Sequence, residues 1–306
     1  MSDQARREFF DFVQKQLASR YKCCLWPGAG CTRPSIRAHS IQNQRVLDVL
    51  SDDGHVIMPK LTAGVVRPPR TVFRKVGRHD ATTFTGLCAS HDQVLFRPVD
   101  AGPLDPSNSE HLFLLAYRAV LQEAHATRKA AVDTQTVFLQ GAEKGLYPRD
   151  EPTKAGLEAT EAVGRAYLRR EWGWMDHTIL RIDAPPSLAA NAMISTDLSS
   201  ATFDSAAYVF LNVCPVEDQT IAIFSYVAAD RGAAEAAFGD IWAASGHYQK
   251  YLLSKLILRR CSNFVIAPKV FDTLSNEQTE LMLTYFDGNI PPRTMDLDDP
   301  RLFLFG

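Results

Sequence analysis

Two paired thiol and imidazole arms constrain this chain more than anything else in it. The first arm is Cys24-Leu25-Trp26-Pro27-Gly28-Ala29-Gly30-Cys31, and the second is Gly86-Leu87-Cys88-Ala89-Ser90-His91-Asp92. Pro27 and Gly28 set a tight turn that folds the two sulfurs of the first arm toward one point. Cys88-x-x-His91 has the spacing of a metal-binding pair at the start of a helix. A chain that closes these arms on one ion must fold residues 24–92 into a compact unit around it. Cys24, Cys31, Cys88 and His91 are therefore the expected Zn²⁺ ligands. Cys23 remains an alternative to Cys24, and His39 an alternative fourth ligand.

Cysteine usage points the same way. Four of the six cysteines, Cys23, Cys24, Cys31 and Cys88, fall in the first third, and such clustering suits a metal better than disulfides. The start of the chain lacks the apolar core of a secretory signal, and no run of about 18 apolar residues is present. A cytoplasmic protein with reduced thiols and no membrane partner is the expectation.

The 306 residues, 46% hydrophobic and 22% charged, suffice for two domains. Residues 3–20 carry Phe9, Phe10, Val13 and Leu17 at helical spacing. Ile36–Ile41 alternates as a short strand, and residues 43–50 look helical. The Pro/Gly/Ser-rich stretch 101–110 reads as a boundary loop. It separates a zinc-binding domain, 1–105, from an α+β domain, 106–306, whose role would be sensing, homo-oligomerisation or partner binding. In the second, Ser109 is the expected N-cap of a helix reaching about Arg128, followed by a helix from about Thr153 to Trp172. Strands are expected over His177–Asp183, Ala192–Thr196, Ala207–Val213 and Thr220–Tyr226, forming an antiparallel sheet. Helices over Ala233–Ala244, Tyr248–Cys261 and Pro268–Phe286 flank it. The apolar tail Arg301-Leu302-Phe303-Leu304-Phe305-Gly306 is expected to dock on a core or a partner. The fold class is α+β, an N-terminal zinc domain followed by a larger domain built on an antiparallel sheet flanked by helices.

Charge is divided unevenly. Residues 1–105 hold 15 Lys and Arg against 10 Asp and Glu, while the remainder carries the opposite excess, leaving a net charge of −2. Within the basic part, Arg67, Arg70, Arg74, Lys75 and Arg78 crowd into thirteen residues. Guanidinium forks match phosphate oxygens, so this stretch is a candidate DNA or RNA contact, with a solvated loop as the competing reading.

The order of thiol pair, Arg37-Ala38-His39-Ser40 on a strand, then Leu87-Cys88-x-x-His91 at a helix resembles the treble-clef core of HNH (ββα-metal) endonucleases. The resemblance covers about residues 22–100. It implies a structural zinc, a strand histidine as general base at His39, and a catalytic Mg²⁺ or Mn²⁺ at the position of Asp92, helped by His55 or Asp80. The reaction implied is phosphodiester hydrolysis, with bacterial antiviral defence a setting by analogy. The chain departs from that family at Thr83, which stands about where an asparagine is expected, and at Ala38, where many members carry a metal ligand. A bacterial group sharing the turn, the Ala/Ser-His-Ser and the Cys-x-x-His-Asp is also similar but implies no activity. The alternative is a non-catalytic zinc-stapled module that binds nucleic acid or protein, with the C-terminal domain as the working part.

Overall fold

A computed structural model describes residues 22–28, 30–62, 70–142, 154–197, 207–288 and 298–305. The expected helix over 3–20 and Arg67 lie outside them. The architecture is α+β, with antiparallel sheets flanked by helices.

In chain order, β1 (Ala38–His39) is followed by a π-helical turn (Asn43–Leu47) that runs into α1 (Asp48–Leu50). A hairpin of β2 (His55–Thr62) and β3 (Arg70–Gly77) comes next, then β4 (Thr83–Phe84) and α2 (Ala89–Asp100). The long α3 (Ser109–Ala142) and α4 (Lys154–Leu168) precede β5 (Met175–Ile182), β6 (Leu188–Ser195), β7 (Tyr208–Val216) and β8 (Gln219–Val227). The chain continues through α5 (Arg231–Ala243), α6 (Gly246–Arg260), β9 (Phe264–Ile266), α7 (Pro268–Phe271) and α8 (Asn276–Gly288).

Among the described residues seven strands form one sheet in the order β3-β2-β9-β6-β7-β8-β5, with every neighbouring pair antiparallel. Side chains alternate across it as the period of two demands. Leu211, Val213, Phe224, Tyr226, Phe264 and Ile266 face α5, α6, α8 and the C-terminal tail. Cys214, Ile221, Ile223 and Val265 face the other way, toward α1 and α3. The tail docks on the first of these cores: Leu302, Leu304 and Phe305 are buried, and the Leu304 N–H donates to Ser254 Oγ at 3.0 Å.

Several expectations change. Asn108, not Ser109, caps α3, its Oδ1 accepting the N–H groups of Glu110 and His111 at 2.9 and 3.4 Å. The single helix expected over 268–286 is broken in two by a capping box. Ser275 Oγ accepts the Gln278 N–H at 3.1 Å while Gln278 Oε1 accepts the Ser275 N–H at 3.0 Å, so a new helix starts there. The basic stretch after Arg67 is an edge strand rather than a loop, its Phe73 packed edge-on against Phe264 and Phe271. That hairpin pairs with β9 through Ile57 and Ile266. The sheet therefore crosses the boundary expected near residue 105. Pro59 in β2 is tolerated because β9 meets this strand at a single register pair, leaving most of that edge without a ladder to break.

Candidate metal centre and adjoining cleft

The thiol arms meet beside a small ββα unit. β1 pairs antiparallel with β4, Ala38 opposite Phe84 and His39 opposite Thr83, and α2 follows at once. Backbone bonds from Leu25 N–H to the Gly86 carbonyl and from Ile36 N–H to the Leu87 carbonyl, both 2.8 Å, lay the first arm along the second. α4 presses on the turn from outside: a Cβ on Gly164 would stand 2.6 Å from Pro27 Cβ.

Cys24, Cys31, Cys88 and His91 bring their donor atoms within 4.8 Å of one another and could hold one metal ion. Cys24 Sγ lies 3.4 Å from His91 Nδ1, and Cys31 Sγ lies 3.9 Å from Cys88 Sγ. Tetrahedral bonds of zinc to sulfur and nitrogen span edges of about 3.6 Å for S···N and about 3.8 Å for S···S, so these two edges are consistent with a zinc site. Its cysteines are free thiols, not disulfides. Burial pushes the Cys24 thiol up to about 11. Burial also opposes ionisation of Cys88, but hydrogen bonds from Ser90 and the His91 N–H outweigh it and bring that thiol down to about 7. Trp26 stacks flat on His91 with ring centroids 4.2 Å apart, fixing the plane of the imidazole. Cys23 is exposed and His39 stands apart, neither belonging to the group.

Beside this centre opens a cleft of about 340 Å³, lined among others by Arg37, His39, Asn43, Asp92, Asp100 and Arg118. The structure thus brings His39 and Asp92 to one cavity. His39 Nε2 lies 3.0 Å from the Arg78 carbonyl oxygen. A carbonyl only accepts, so Nε2 carries the proton and Nδ1 keeps its lone pair. Burial holds the His39 pKa below the usual histidine value against the raising effect of that carbonyl, and the neighbouring His79, Arg118 and Arg37 lower it further. Asp92 sits in the first turn of α2, where burial raises its pKa and the Arg118 charge opposes the rise.

The histidine is held on both sides. Arg78 Nη1 donates to Asn43 Oδ1 at 3.1 Å and its Nη2 pairs with Asp48 at 3.3 Å, so the π-turn and α1 fix the carbonyl that orients His39. Next in sequence, Ser40 donates to the Thr82 carbonyl at 2.8 Å and accepts from Asn263 Nδ2 at 2.8 Å. Asn263 also reaches the Asn191 carbonyl at 3.4 Å, and Asn191 Nδ2 donates to Asn212 Oδ1 at 2.8 Å. Buried asparagines of the large sheet therefore anchor the strand that carries His39.

Compared with protein-family models, curated proteins and solved structures, the chain matches none. What the site can do must be argued from its own geometry.

The basic stretch does not converge on the cleft. Arg70 and Arg74 share one face of β3, Lys75 points to the other, and Arg78 is engaged by Asp48 and Asn43. Of the suggested helpers of Asp92, Asp80 pairs with Arg37 at 2.5 Å, and His55 bonds the Asp53 carbonyl at 2.6 Å in its own turn. Neither lines the cleft. Thr83 stands across from His39 and accepts from Arg37 at 3.1 Å.

Arg118 is the residue that sequence reasoning passed over. Its side chain is 4% exposed, pairs with Asp100 at 2.8 Å and lies 4.0 Å over the Phe96 ring. The available signal was position: it follows Leu114 by four residues and Leu115 by three, on the buried stripe of α3. Its buried charge is answered by Asp100, and it lines the cleft beside Asp92.

Proposed function

We propose that the protein is a zinc-stapled, HNH-like nuclease that hydrolyses phosphodiester bonds of DNA or RNA with a divalent cation. One observation carries the reading: His39 and Asp92 line a single cleft next to the Cys24–Cys31–Cys88–His91 group but outside it. The order of strand pair, metal arm and helix supports it, as does the cation Arg118 in the cleft wall.

In this reading the four-residue group holds zinc and staples the unit. Asp92 offers the oxygen ligand that Mg²⁺ or Mn²⁺ prefers. Such an ion, when bound, supplies charge stabilisation at the phosphate and leaving oxygen. The chain's own residues do the rest. His39 is neutral near pH 7 and takes the proton of the attacking water on Nδ1, while its Nε2–H stays on the Arg78 carbonyl. Arg118 sets a positive charge against the phosphate from a position already fixed by Asp100 and Phe96. Thr83 occupies the cross-strand position of the orienting asparagine, and the Arg78 carbonyl performs that orienting task instead.

The test is incubation of purified protein with plasmid DNA and structured RNA, with Mg²⁺ or Mn²⁺ and after their removal. Cleavage that needs the added cation and falls at least about a hundredfold in Asp92→Asn is expected. Cleavage of neither polymer in any divalent cation would reject the assignment in favour of a binding module.

A further inference from the structure

Behind the cleft lies a second, larger cavity of about 390 Å³, in the range of small-molecule sites. It is walled by the π-turn and α1, the end of α2, α3 and the face of the sheet at β7. Gln42, Gln44, Asp100 and Arg118 line both cavities, so the two are neighbours through a shared polar wall. Beyond that wall the lining turns apolar, with Ile41, Val46, Val49, Val99, Leu104 and Leu115. The sheet contributes Asn212, which is 5% exposed. Its Oδ1 is taken by Asn191, and its Nδ2 has no partner. Asp100 Oδ1 and Arg118 Nε are likewise buried without one.

We propose that this cavity receives one nucleobase of the substrate whose phosphate occupies the His39 cleft. The inference rests on the phosphodiester reading of that cleft and adds a base-recognition pocket to it. A base has two apolar faces and an edge of donors and acceptors, and enzymes that take a base out of the stack hold it against apolar side chains while reading that edge. The pocket offers both parts: aliphatic walls for the faces, and the free amide donor of Asn212 with the second oxygen of the Asp100 carboxylate for the edge. An aliphatic ligand would leave Asn212 and Asp100 unsatisfied, which costs binding. A bare anion would meet Arg45 and Arg118 but also Asp100 and Glu217, and would leave the aliphatic walls uncovered. A flat heteroaromatic ring answers all of these groups at once.

The experiment is calorimetric titration of the full chain, zinc-loaded and without added Mg²⁺, with each common nucleoside and its 5′-monophosphate. One base is expected to bind with Kd below about 1 mM and at least about tenfold more tightly than the others. Val49 stands at the rim with 55% of its surface exposed, so Val49→Trp plugs the mouth with little risk to the fold. It should weaken that binding at least about tenfold while zinc content and melting temperature hold. Asn212→Asp keeps the oxygen that accepts from Asn191 and replaces the free donor with an acceptor, so it should reverse the base preference. Failure of every nucleoside to bind at about 10 mM, or binding indifferent to Val49→Trp, overturns the pocket. Base binding that Val49→Trp abolishes, in a protein that cleaves nothing, sustains the pocket and removes the phosphodiester reading. Cleavage without base binding does the reverse.

Discussion

Replacing Asn263 by alanine tests whether the large sheet sets the position of His39. Asn263 is 8% exposed, and its Nδ2 donates to Ser40 Oγ at 2.8 Å and to the Asn191 carbonyl at 3.4 Å. Asn263→Ala removes both bonds and leaves a small cavity. Ser40 keeps its own bond to the Thr82 carbonyl at 2.8 Å, so its hydroxyl is not stranded. The lost hydrogen bonds cost about 1–1.5 kcal/mol, and the missing side-chain volume adds about 0.5–1 kcal/mol. The total is about 2 kcal/mol, a fall in Tm of about 3 °C for a chain of 306 residues. A catalytic effect should accompany the stability effect, because Ser40 adjoins His39. A drop in kcat of about tenfold with KM little changed is expected, the signature of an interaction made in the transition state. Thr71→Val provides the control. Thr71 is buried and bonds Asp287 at the far end of the hairpin, so its loss should cost similar stability and leave kcat alone. Melting by circular dichroism and cleavage kinetics on the same preparations read both quantities. Equal kcat in Asn263→Ala and Thr71→Val would refute the claim that this network positions the histidine.

Other outcomes follow from the same contacts. Gly164→Ala drives a methyl to 2.6 Å from Pro27 Cβ and should lower stability by about 1–3 kcal/mol, read as a reduced urea midpoint. His177, bonded to Ser225 Oγ at 2.8 Å, has its pKa pushed down to about 4 by burial. In the unfolded chain it titrates near 6.5. The stability it contributes is therefore full above that value and lost as pH falls toward 4, by up to about 3 kcal/mol. Urea melts across that window should show the slope in the wild type, and His177→Gln should flatten it. Cys31→Ser removes one of four ligands and should abolish retention of zinc through a mild chelator wash, with Tm reduced by at least about 5 °C. Elemental analysis and a thermal melt check both.

The fold was readable where pattern and burial agreed. The strands over 175–227 announce themselves because β-branched and aromatic residues alternate between two buried faces. The hairpin strand 70–77 did not, because Arg70, Arg74 and Lys75 occupy exposed edge positions and hide its Thr71-Val72-Phe73 signal. β9, three residues long, is too short to show a period, yet it joins the hairpin to the rest of the sheet. The Cys24, Cys31, Cys88 and His91 group could be read from spacing because holding one ion would bring them to one point. The supports of His39 could not, since Arg78 acts through its carbonyl and Asn263 lies at the far end of the chain. Long-range polar contacts of this kind leave no local period in a sequence.

In the proposed reading one small unit holds two separate sites, a metal staple and an adjacent catalytic cleft. Zinc stoichiometry and cleavage rate measured together on His39→Ala test it most directly. His39 lies outside the ligand group and lines the cleft, so the variant should keep one zinc per chain and lose cleavage by at least about a hundredfold. A variant that sheds its zinc, or that keeps its zinc and cleaves like the wild type, would rule out two separate sites.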